Sequence, residues 1–102
     1  MERSLRVVYR NVFGRKWFNH NWTPITKNSA VLVTAAEWAP GTDAVGRAFL
    51  GSATIRVTNV GPHDDEGGGG GVEFCVHVEY DQPLNVQVTI TVFDPVEQFV
   101  HT

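Results

Sequence analysis

Val72-Glu73-Phe74-Cys75-Val76-His77-Val78-Glu79-Tyr80 carries an apolar residue at every even position and, Cys75 apart, a polar one between. Leu84, Val86, Val88, Ile90 and Val92 repeat the pattern against Asn85, Gln87, Thr89 and Thr91. A period of two, carried by Val, Ile, Phe and Thr, is the signature of an extended strand, and no helix would place these residues on one face. Between the two runs lies Asp81-Gln82-Pro83, a cluster of turn formers with a proline that has no N–H for a ladder. The expectation is a β-hairpin with one apolar and one polar face, in which Val72, Phe74, Val76, Val78, Val86, Val88 and Ile90 are buried together.

Three further stretches read as strands. Ser52 to Val60 sets Ala53, Ile55 and Val57 against Thr54, Arg56 and Thr58. Ala30 to Trp38 is apolar on both faces, which suits a central or doubly covered strand. Leu5 to Phe13 alternates Leu5, Val7 and Tyr9 with Arg6, Val8 and Arg10. Val96 to His101 reads as a short edge strand. About six strands with Gly, Pro and Asn punctuation predict an all-β fold, an antiparallel β-sandwich or small barrel. Its 102 residues suit a single domain, residues 1–102.

Two segments read as irregular. Pro40 to Gly51 holds three glycines and has room for one helical turn after Thr42, although a loop suits it better. His63-Asp64-Asp65-Glu66 followed by Gly67 through Gly71 reads as a mobile connection, because five consecutive glycines lose much entropy on ordering.

Composition narrows the function. Hydrophobic content of 42% and charged content of 19% are those of a globular domain. No run approaches the length of a membrane span, and the first residues lack the apolar stretch of a signal peptide, so a soluble, cytoplasmic protein is expected. The lone Cys75 agrees with a reducing compartment. Net charge is −3, and it is unevenly placed. Residues 1–27 hold six of the eight basic side chains (Arg3, Arg6, Arg10, Arg15, Lys16, Lys27), and residues 57–102 hold none. Either the basic N-terminal strand lies beside the acidic C-terminal strands, or opposite ends of two copies attract. The acidic balance makes nucleic acid an unlikely partner.

Three constellations bear on chemistry. Lys16-Trp17-Phe18-Asn19-His20-Asn21-Trp22-Thr23-Pro24 reads as a loop or short hairpin in which flat rings alternate with amide and imidazole groups. Sugars offer an apolar ring face and a fringe of hydroxyls, which such a set matches. Tryptophans of this kind also serve as lids on a core, and both readings stand. His63, Asp64, Asp65 and Glu66, with Asp43 from the other irregular segment, place oxygen and nitrogen ligands together. Calcium is the metal they would suit, although the spacing matches no EF-hand and a solvated loop tip is the plainer reading. Cys75 and His77 share a strand face with Cβ atoms roughly 7 Å apart, a gap that strains a thiol–imidazole hydrogen bond, and no oxyanion site can be named beside them.

The expected function is therefore that of a small non-catalytic binding module for a carbohydrate or similar polar ligand. Trp17, Asn19, His20, Asn21 and Trp22 would form the site, with Trp38 as a third aromatic wall, and no cofactor is expected. The first alternative is a structural protein that forms a homo-oligomer or docks on a larger partner. The second is a small enzyme or metal-binding domain.

Overall fold

The computed structural model describes residues 2–41, 45–65 and 68–102. Along them run β1 (Arg3–Val12), β2 (Gly14–Asn21), β3 (Ser29–Ala39), β4 (Arg47–Phe49), β5 (Thr54–Asp64), β6 (Gly70–Glu79) and β7 (Leu84–Pro95). They form two antiparallel sheets, ordered β1-β7-β3-β4 and β2-β6-β5. The fold is thus the expected all-β sandwich, curled toward a half-barrel where β3 and β5 run side by side.

The core lies where the alternation puts it. Val72, Phe74, Val76 and Val78 from β6 meet Val86, Val88, Ile90 and Val92 from β7, joined by Val12, Ile25 and Val33. The pairing differs from expectation. β6 and β7 belong to different sheets and face each other across the core, so residues 80–83 form an arch rather than a hairpin turn. An arch and a hairpin bury the same alternate residues, and the pattern within each strand cannot separate them. A second arch joins β1 to β2, turned by Asn11 (φ 56°) and Gly14 (φ 66°) in left-handed backbone. In β5, Asn59 (φ 58°) marks a bulge between Thr58 and Gly61.

Other boundaries also move. Residues 96–102 form no strand, contrary to the expected edge strand; Val96 donates its N–H to the Asn28 carbonyl and the chain then leaves the sheet with Val96, Phe99 and Val100 exposed. The 40–51 segment is not all loop, since Arg47–Phe49 pairs with Glu37–Ala39 as β4; the turn after Thr42 falls outside the described residues. The connection around the glycines is shorter than expected. His63 and Asp64 pair with Gly71 and Gly70 as the end of β5 and the start of β6, and both glycines are buried. A Cβ at Gly70 would collide with the carbonyl oxygens of His63 and Ile25, so this glycine permits close backbone approach.

The basic N-terminal strands lie beside C-terminal strands of uneven charge, β6 with Glu73 and Glu79 and β7 with Asp94 alone. Basic β1 pairs with β7, and basic β2 pairs with β6. Several of these cations sit on rings: Arg3 over Trp22, Arg10 over Trp38, Arg15 over Trp17 and Lys16 over Phe18, at 5.3–5.8 Å from the centroids. Arg3 and Lys16 are paired with Val92 and Val76, and so stand at core-side positions of the open edge strands β1 and β2.

Candidate functional site

The segment expected as a loop around Trp17 is instead strand β2, paired with β6 along its whole length. Its inward positions are Lys16, Phe18 and His20, of which only Phe18 is apolar, and this hides the alternation in the sequence. Phe18 stacks on Tyr9 at 3.9 Å between centroids and lies 6.0 Å from Phe74, closing the open side of the core.

Strand geometry divides the proposed site residues. Trp17, Asn19 and Asn21 alternate onto the outer face of the three-stranded sheet, opposite Cys75, Glu73 and Gly71. His20 takes the other side, paired with Val72. Trp22, just past the strand, packs half-buried against the core under Arg3. Trp38 belongs to the outer face of the other sheet, where its indole N–H donates to the Val45 carbonyl at 2.9 Å. The structure therefore brings together Trp17, Asn19 and Asn21 and separates the other three.

It also adds neighbours that the sequence had kept apart. His63 on β5 reaches across β6, and its Nε2 donates to Asn19 Oδ1 at 2.6 Å. Asn19 Nδ2 donates in turn to Asn21 Oδ1 at 2.9 Å, so Asn19 Oδ1 is the acceptor in the first bond. The opposite ring nitrogen of His63 lies 3.2 Å from Asp65 Oδ1. The result is a continuous polar chain, Asp65–His63–Asn19–Asn21, beside the half-exposed indole of Trp17 and the exposed Glu73. No spacing in the sequence announces His63 as a partner of Asn19; only the β5-β6-β2 register does.

No protein-family model matches the chain, and neither does any curated protein or solved structure.

The remaining candidates can be placed by their contacts. Asp64 turns from His63 to accept the Lys27 N–H at 2.8 Å, a structural cap. Asp43 and Glu66 lie outside the described residues. Among the described residues no three His, Cys, Asp or Glu side chains converge as a metal site would require. Cys75 is fully buried and His77 Nε2 is 2.8 Å from Thr58 Oγ1, so the thiol lacks access and the imidazole is otherwise engaged. Arg56 pairs with Glu79 at 3.1 Å across the same sheet.

Proposed function

We propose that this domain is a non-catalytic binding module holding a carbohydrate, or a ligand of similar polar character, against the outer face of β2-β6-β5. The observation that carries the reading is the placement of Trp17. Its indole is 46% exposed on the regular face of a sheet, next to amide side chains already oriented by hydrogen bonds to each other and to His63. A flat ring suits the C–H face of a sugar. Polar groups fixed before binding lose little freedom when the ligand arrives. Arg15, 5.6 Å over the indole, adds donors at the same place.

One feature favours ligand binding over self-assembly. Arg3 and Lys16 occupy core-side positions on the edge strands β1 and β2, a placement that discourages another strand from pairing there.

The test is a glycan array followed by tryptophan-fluorescence titration of any sugar retained, using the intact chain and Trp17→Ala. Trp17 is on the surface, so the variant should melt close to the parent while losing affinity by about tenfold or more. A silent array, or unchanged affinity in Trp17→Ala, refutes the reading. Sedimentation at low and high salt addresses assembly: a particle that dissociates as salt rises would favour the assembly alternative.

A further inference from the structure

On the opposite side of the molecule, the outer face of β1, β7 and β3 follows directly from the register. One row is Arg6–Thr89–Thr34 and the next is Val8–Gln87–Ala36, with Arg10 and Trp38 beyond. In a chain of net charge −3, these positions include two arginines and no acid. Val45 and Gly46 fold over this face. They enclose with Arg6 and Gln87 a cavity of about 310 Å³, at the low end of the range for small-molecule sites.

Gln87 is the telling residue. It stands between Val8 and Ala36, is 9% exposed and lines the cavity. Its amide makes none of the side-chain hydrogen bonds found among the described residues and, unlike the Tyr9 hydroxyl, is not sealed from the space beside it. An unpaired amide open to a cavity can take a ligand's polar group. Arg6 is oriented for a different task. Its Nε donates to Thr89 Oγ1 at 3.1 Å, which fixes the guanidinium plane and leaves the two terminal nitrogens as a fork. A fork of this kind matches the two oxygens of a carboxylate. The covering wall is held as well. Trp38 Nε1 binds the Val45 carbonyl, and Gly46 (φ 69°) lies so close to the indole that a Cβ there would come within 2.5 Å of Nε1.

We infer that this cavity is a second binding site, separate from the Trp17 face, for a carboxylate carried on a small hydroxylated body such as a sugar acid. Arg6 takes the carboxylate and Gln87 a neighbouring hydroxyl. A bare anion would leave Gln87 unpaired, and a neutral sugar would leave Arg6 unused.

The experiment is calorimetric titration of the intact chain with galacturonate, galactose and inorganic phosphate, read in parallel from the ¹⁵N signals of Gly46 and the Trp38 indole. Galacturonate is expected to bind in the millimolar range or tighter, with galactose and phosphate each about tenfold weaker. Arg6→Gln should reduce galacturonate affinity by about tenfold and Gln87→Ala by about threefold or more. Trp17→Ala should leave it unchanged, which separates this site from the proposed sugar face. Arg6→Lys keeps the charge without the fork and should bind several-fold more weakly than the parent, so it replaces Arg6→Gln if that variant does not fold. The inference is overturned if galacturonate does not bind, if galactose or phosphate binds equally well, or if the Arg6 variants retain full affinity.

Discussion

Tyr9 offers a test in which deleting a polar atom should strengthen the protein. Its ring belongs to the core, stacked on Phe18 and 6.4 Å from Phe74, and its hydroxyl is buried with no hydrogen-bond partner. An unsatisfied buried hydroxyl costs about 1–3 kcal/mol of desolvation, and Tyr9→Phe removes that cost while keeping the stacked ring. Allowing for relaxation, we expect a gain of about 1–2 kcal/mol, which for a domain near 100 residues raises the melting temperature by roughly 4–12 °C. The pH dependence gives an independent reading. Burial pushes the Tyr9 phenol above its ordinary value of 10.0. The unfolded chain therefore releases this proton first as pH rises, and the folded state retains more protons. Stability from the neutral phenol is complete below pH about 10 and is lost as pH climbs from there toward the folded-state value. Phenylalanine has no such loss, so the gap between Tyr9→Phe and the parent should widen above pH about 10. Guanidinium melts at pH 7 and across pH 8–11 measure both effects. If Tyr9→Phe is less stable at pH 7, the hydroxyl has a partner and the reasoning fails; a gap that stays constant with pH refutes the titration argument.

Phe74→Ala empties the middle of the core and should cost about 3–5 kcal/mol in chemical denaturation, a large share of a small domain's stability. A melting temperature within a few degrees of the parent would mean that the faces of β6 are inverted. Gly70→Ala should be severely destabilising, because its Cβ meets the backbone carbonyls of His63 and Ile25, whereas Gly61→Ala, with no atom within 4 Å of the new Cβ, should change stability by less than about 1 kcal/mol. Thermal melts of the two variants compare them directly, and equal losses would contradict the β5–β6 pairing. Cys75 should react with a thiol reagent only at the rate of unfolding, since it is fully buried. Rapid modification of the native protein would show that the β2-β6-β5 face opens.

The faces of the strands were legible from the residues, and their neighbours were not. Alternation over 72–80 and 84–92 specifies which side chains enter the core, and Phe74, Val76, Val88 and Ile90 are indeed fully buried. Whether two such strands lie side by side or face to face depends on the path of residues 80–83, and Asp-Gln-Pro suits either. Strand β2 is masked in the sequence because its core-side positions include Lys16 and His20, which its place at the sheet edge tolerates. The same concealment affected the site. Trp17, Asn19 and Asn21 stand out once β2 is extended, but His63 enters only through its place beyond β6, and Gln87 reads as one polar residue among several until Val45 and Gly46 fold over it.

The sheet order also bears on how the chain reaches this structure during synthesis. Among the described residues β1 hydrogen-bonds only to β7, through pairs such as Leu5 with Ile90 and Val7 with Val88. β1 thus waits for its partner while β2 to β6 are synthesised, with Leu5, Val7 and Tyr9 exposed throughout. No early local hairpin can shelter them, because the chain arches from β1 into the opposite sheet. Non-local pairing of this kind folds slowly and leaves apolar strands open to wrong partners. The arginines at positions 3, 6 and 10 then serve a purpose before the fold exists: as charges spaced along an unpaired apolar strand, they keep nascent chains apart until β7 arrives.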